Sequence, residues 1–143
     1  MSSLSIDPLR MEAQIAESAD LIRSLTAQSG RLVEISRAIV TALRNGGQVL
    51  TAGNGGSAAE ALHMAEELIG RFRSDRPSLP GLALVADSTA ITCISNDFGY
   101  DCVFSRQVEG LGRAGDVLVL FSTSGSAVNL KRALETARRR GLV

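Results

Sequence analysis

The hydrophobic pattern of this chain switches repeatedly between helical spacing and short continuous runs. Asp7-Pro8 has the form of a helix start, and from there to Arg44 no further proline and a single glycine, Gly30, intervene. Leu32, Ile35, Ile39 and Leu43, with Val40, recur every three or four residues, and Ile15, Ile22 and Leu25 do so more loosely. This predicts a long N-terminal helical segment, kinked or broken near Gly30. Asn45-Gly46-Gly47 would end it as a left-handed cap. An arm of this kind, standing ahead of the first strand, commonly packs against another subunit.

Beyond the arm the pattern predicts a strand at 48–51 and a helix at 57–72 with Leu62, Ala65, Leu68 and Ile69 facing inward. A polar loop with prolines, residues 73–80, follows. Next comes a strand at 81–85, continuously apolar as expected of one covered on both faces. Asp87 and Ser88 can cap a short helix at 89–94. Asn96-Asp97-Phe98-Gly99-Tyr100 reads as a turn-rich loop, residues 103–111 as a helix, and 117–121 as another apolar strand. A final helix carrying Val128, Leu130 and Leu134 ends at Arg138-Arg139-Arg140-Gly141, where basic side chains complement the helix dipole. Strands alternating with helices imply an α/β fold with a parallel sheet and ligands at the carboxyl ends of its strands. Gly141-Leu142-Val143 looks like the opening of one more strand.

Composition narrows the classes. With 143 residues, 45% hydrophobic and 21% charged, the chain is long enough for one ordinary domain with a buried core. Fifteen basic and fifteen acidic side chains balance, which argues against a general nucleic-acid or membrane-surface role. Four phenylalanines, one tyrosine and no tryptophan leave little for stacking bases or sugars. No apolar run is long enough to span a bilayer and no signal peptide is apparent, so the expectation is a cytoplasmic protein. Cys93 and Cys102 have no metal or redox spacing and are expected as free thiols.

The chemistry concentrates at two strand-to-helix junctions. Val49-Leu50-Thr51-Ala52 runs into Gly53-Asn54-Gly55-Gly56-Ser57 and then a helix; Val117 to Phe121 runs into Ser122-Thr123-Ser124-Gly125-Ser126 and then another. Glycine permits positive φ and close backbone approach, and the free N–H groups of a helix start favour an anion. Two such junctions suggest one pocket for one phosphorylated ligand. Neither is a nucleotide P-loop, because no Gly-Lys-Ser/Thr follows. Gly53 to Ala58 matches the loose dinucleotide pattern, but the candidate ribose-binding acid, Asp87, lies well past the expected spacing of about 20 residues. On the first helix His63, the only histidine, and Glu67 are four apart and share one face, a pair able to bind a divalent metal or to divide acid and base roles. Glu66 is turned about 100° away and is expected in solvent.

Taken together, Gly53-Asn54-Gly55-Gly56-Ser57, His63-Met64-Ala65-Glu66-Glu67-Leu68, Ser95-Asn96-Asp97-Phe98-Gly99-Tyr100, Phe104-Ser105-Arg106-Gln107 and Gly115-Asp116-Val117-Leu118 followed by Ser122-Thr123-Ser124-Gly125 resemble the sugar isomerase (SIS) domain, specifically the bacterial phosphoheptose isomerase family. The resemblance implies a three-layer α/β/α parallel sheet of flavodoxin-like topology, with residues 1–46 as the helical arm and 47–143 as the SIS domain. It implies isomerisation of sedoheptulose 7-phosphate to D-glycero-D-manno-heptose 7-phosphate for surface-glycan precursors. Asn54, Gly55, Gly56 and Ser57 would lie against the substrate, Ser122, Thr123 and Ser124 would hold its phosphate, and Asn96 and Asp97 would contact the sugar. His63 and Glu67 would bind zinc, with Glu67 transferring the proton. The family assembles as homotetramers. Two departures stand out. The last phosphate-binding serine falls on Ala127, and the family's C-terminal strand, helix, glutamine and second histidine are missing, so the chain is expected to lack the C-terminal part. A non-catalytic SIS module, sensing a sugar phosphate or binding a protein such as a replication initiator, is the alternative.

Overall fold

The computed structural model describes residues 7–143; the first six residues of the arm lie outside the described residues. Two compact units divide at Arg37 and Ala38. In the first, α1 (Pro8–Ser24) starts as the Asp7-Pro8 pattern predicts, with Asp7 Oδ1 accepting the Leu9 N–H at 3.1 Å. A 3₁₀ turn over Leu25–Gln28 separates α1 from α2 (Ser29–Arg44). The break therefore precedes Gly30, which sits inside the first turn of α2. None of the α1 side chains is buried, and Leu9, Ile15, Leu21 and Ile22 are all exposed.

The second unit is the α/β domain. Gly46, at φ +81°, ends α2 in the left-handed conformation that its lack of a Cβ allows. β1 (Val49–Gly53), α3 (Gly56–Ile69), β2 (Gly81–Ala83), α4 (Ser88–Phe98), α5 (Val103–Leu111), β3 (Val117–Phe121) and α6 (Val128–Arg140) follow. The sheet is parallel in the order β2-β1-β3, with Val49 opposite both Gly81 and Val117. This order is how a flavodoxin-like sheet begins. Central β1 is buried throughout, and its alternating side chains serve both faces. Leu50 and Ala52 join the core formed with Val103, Phe104 and Val108 of α5 and Leu130, Ala133 and Ala137 of α6. On the other face Thr51 donates its hydroxyl to Ala61 O of α3 at 2.7 Å.

Several expectations need correction. α3 turns Ala61 and Ala65 inward, whereas Leu62 and Ile69 are exposed. Leu68 does face the sheet, as expected, and Gly81 makes room for it: a Cβ on Gly81 would stand 2.9 Å from Leu68 Cβ and 3.1 Å from Ala65 O. β2 covers only three residues and Leu82 is partly exposed, so this strand is not covered on both faces. α4 runs on to Phe98, which places Asn96 and Asp97 in its last turn rather than in a loop. In α6 the buried positions are Asn129, Leu130, Ala133, Thr136 and Ala137, while Val128 and Leu134 are exposed. Leu142 and Val143 approach β3 as expected: Val143 N–H donates to Asp116 O and Val143 O accepts the Leu118 N–H, both at 2.9 Å, the two bonds of a parallel bridge.

The amino edge of the sheet is held by a carboxylate. Asp116, 2% exposed, accepts the Gln48 N–H (3.0 Å), the Gln48 side-chain amide (3.0 Å) and the Arg113 N–H (2.9 Å). Burial works to raise its pKa, but these donors and the nearby Arg113 charge outweigh it, so the pKa lies below the ordinary carboxylate value. This perturbed acid stands at the end of the strands opposite the two junctions and serves the fold.

Candidate functional site

β1 and β3 are parallel neighbours, so the turns that follow them emerge at the same edge of the sheet. The strand order also reverses between these two strands. In open α/β sheets that switch point is where a crevice opens for a ligand. The first junction depends on two glycines for different reasons. Gly55 has φ +57°, where a side chain would be strained, and a Cβ on Gly53 would fall 2.3 Å from Ser57 O. Gly53 thus lets α3 begin directly against the end of β1. Gly56, by contrast, has nothing within 4 Å of where its Cβ would lie.

The second junction is stiffened by its own hydroxyls. Ser122 Oγ accepts the Gly125 N–H at 3.0 Å, Ser124 Oγ accepts the Ser126 N–H at 3.2 Å, and the Ser124 and Ser126 hydroxyls are 2.9 Å apart. Ala127 precedes α6 and supplies no side-chain cap. A cleft of about 280 Å³ beside this junction is lined by Ser122, Gly125, Leu120, Leu130, Leu134 and Lys131. A larger apolar groove of about 580 Å³ between α4 and α5 is lined in part by Asp87 and by none of the residues expected to hold a sugar phosphate or a metal.

One side-chain pair ties the junctions together. Asn54 Nδ2 donates to Asn129 Oδ1 at 3.0 Å, and Asn129 Nδ2 donates back to Asn54 Oδ1 at 2.9 Å. The Tyr100 hydroxyl donates to Asn54 Oδ1 as well, at 3.0 Å. Asn54 was expected against the substrate; here its amide is engaged chiefly in joining three segments. Asn129 and Tyr100 escaped the sequence reading. The available signals were an asparagine in the first turn of a helix and the chain's single tyrosine just after Asn96-Asp97, and neither announces a long-range partner.

The other predicted residues are placed less centrally. Asn96 Nδ2 donates to Asp97 Oδ1 at 2.8 Å, and among the described residues no hydrogen bond links either to a junction. His63 and Glu67 lie about 9 and 15 Å along the α3 axis from Ser57, at 1.5 Å per residue. His63 Nε2 is 3.2 Å from Glu67 Oε1, with the imidazole largely exposed and the carboxylate half-buried. Glu66, though exposed, completes a group in which one donor atom from each of the three residues lies within 4.8 Å of the others. Arg76 fastens the end of this helix, donating to Leu68 O (2.9 Å) and Glu67 O (2.5 Å). Cys93 and Cys102 are free thiols, as expected.

A parallel sheet with two hydroxyl- and glycine-rich junctions at its switch point is the build of a SIS domain, and the family model described as SIS domain matches residues 14–143. Over 119 residues the chain is 52% identical to the phosphoheptose isomerase of Bradyrhizobium sp. strain BTAi1, covering 83% of this chain and 59% of the relative. It is 46% identical over all 143 residues to that of Bradyrhizobium sp. strain ORS 278, spanning 71% of its length. The solved phosphoheptose isomerase from Francisella tularensis superposes with a TM-score of 0.86 at 33% identity, over 96% of this chain and 73% of that one. The chain belongs to the phosphoheptose isomerase family of SIS-domain proteins.

No helix among the described residues is long and apolar enough to cross a membrane.

Proposed function

We propose that this chain carries the substrate-binding part of a ketose–aldose isomerase that converts sedoheptulose 7-phosphate to D-glycero-D-manno-heptose 7-phosphate. The observation that carries this reading is the meeting of the two junctions at one sheet edge, hydrogen-bonded to each other, in a chain of this family. The hydroxyls of Ser122, Thr123 and Ser124 hold the phosphate. The loop of Asn54, Gly55, Gly56 and Ser57 lies against the sugar, helped by the α3 N-terminus, and Asn96 and Asp97 contact its hydroxyls. Residues 47–143 form the binding domain and residues 1–46 the arm.

Isomerisation moves one carbon-bound proton from C1 to C2 and one hydroxyl proton from O1 to O2, through an enediol. Glu67 is the group that carries the carbon-bound proton, and His63, hydrogen-bonded to it, orients the carboxylate. The same residues suit zinc. An imidazole nitrogen and carboxylate oxygens gathered within 4.8 Å of one another are a donor set that zinc takes. His63 and Glu67 would hold the ion, with Glu66 within reach, and when bound it supplies a Lewis acid for the oxyanion of the enediol. The exposed apolar side chains of α1 support assembly of the arm with further copies of the chain, a homotetramer in this reading. The location that goes with such a substrate is the cytoplasm.

Incubation of the purified chain with sedoheptulose 7-phosphate, with Glu67→Gln as control, tests the reading. Turnover by the unaltered chain and its loss in the control support it. Binding of the sugar phosphate without turnover selects the sensing module, and absence of both overturns the assignment for this chain.

A further inference from the structure

Asn54 and Asn129 are oriented by a backbone group. The Leu130 N–H donates to Asn129 Oδ1 at 2.9 Å, which fixes which end of that amide is oxygen. Asn129 Nδ2 is then the donor to Asn54 Oδ1, and Asn54 Nδ2 returns its hydrogen to Asn129 Oδ1. The Tyr100 hydroxyl adds a second donor at Asn54 Oδ1. Turning either amide over would set nitrogen against nitrogen and oxygen against oxygen, so the network has one satisfied arrangement. Asn129 is only 4% exposed, which makes loss of its partner costly. The Gly53–Gly56 turn, with three glycines, has little stiffness of its own.

We propose that Asn129 and Tyr100 are positioning residues of the sugar-phosphate site. Acting through Asn54, they lock the first junction to the start of α6 and to the segment that follows Asn96 and Asp97. The two junctions thereby present one rigid cradle, and one Nδ2 hydrogen of Asn54 is left without a partner among the described residues and available to a ligand. The inference rests on the sugar-phosphate reading for its ligand, but the lock itself can be judged separately.

The test compares the unaltered chain with Tyr100→Phe and Asn129→Asp in two measurements. Amide hydrogen exchange reads the stiffness of residues 53–58 against the 49–52 strand, and titration calorimetry reads the dissociation constant for sedoheptulose 7-phosphate. Tyr100→Phe removes one hydroxyl from a half-exposed ring, so the melting temperature should fall by no more than a few degrees. Loss of one such bond should weaken binding about 3- to 10-fold and speed exchange in the loop. Asn129→Asp keeps the shape but sets a carboxylate against Asn54 Oδ1, and should weaken binding by more than about 10-fold. Unchanged loop exchange in both variants, or a loosened loop with unchanged affinity, overturns the proposal. If the unaltered chain does not bind the sugar phosphate, the functional reading fails, while the exchange data still decide whether the lock exists.

Discussion

Gly53 and Gly56 sit three residues apart in one loop, yet alanine should affect them in opposite ways. A Cβ on Gly53 would stand 2.3 Å from Ser57 O, 2.5 Å from Ser57 C and 2.9 Å from Ser57 Cβ. Ordinary carbon contacts need about 3.5–4.0 Å, so the first turn of α3 would have to retreat by about 1 Å or more. Because the obstacle is backbone rather than a flexible side chain, the clash belongs at the upper end of overpacking costs, about 3 kcal/mol. For a domain of this size that is a fall of roughly 6–12 °C in melting temperature. Gly56 has open space around its Cβ and helical backbone, so alanine there should leave stability unchanged or raise it by about 0.5–1 kcal/mol. The binding reading adds that Gly56 is small to admit the ligand, so Gly56→Ala should lose sugar-phosphate affinity while keeping its stability. Thermal denaturation and calorimetric titration of both variants measure the two effects. A Gly53→Ala protein melting within about 1 °C of the unaltered chain would refute the close packing of α3 on β1, since a real clash of this size shifts the midpoint several-fold more. A Gly56→Ala protein with unchanged affinity would refute the approach of ligand to this backbone.

Three further outcomes follow from the packing. The depressed pKa of Asp116 means that its stabilising contribution is fully present above the ordinary carboxylate pKa and is lost as pH falls through the lowered one; Asp116→Asn should therefore melt earlier at neutral pH and show a flatter stability profile in the acid range, read by melting temperature against pH. Arg76→Ala removes the guanidinium from Leu68 O and Glu67 O and should cost about 1–2 kcal/mol, with exchange speeding first at the α3 end that carries Glu67. Phe104→Ala empties a fully enclosed site between the sheet and α5 and α6 and should destabilise by about 3–5 kcal/mol in urea denaturation.

The two junctions, the parallel α/β class, the caps at Asp7, Asp87 and Gly46, and the pairing of His63 with Glu67 were legible in the sequence. All depend on residues within a few positions of one another, where local backbone preference and helical spacing decide the outcome. Tertiary structure decided what distance in the chain conceals. Helical spacing placed Ala65 and Leu68 on the inner face of α3 correctly, but apolar character alone also put Leu62 and Ile69 there; packing on β1 and β2 turned those two outward and buried Ala61 in their place. Asn96 and Asp97 read as a loop because turn-forming residues follow them, but α4 continues through both to the Gly99 cap. Asn129 and Tyr100 were invisible because Asn54 lies 75 and 46 residues from them. Only the parallel pairing of β1 with β3 brings the two junctions to one edge, where complementary amides can find each other.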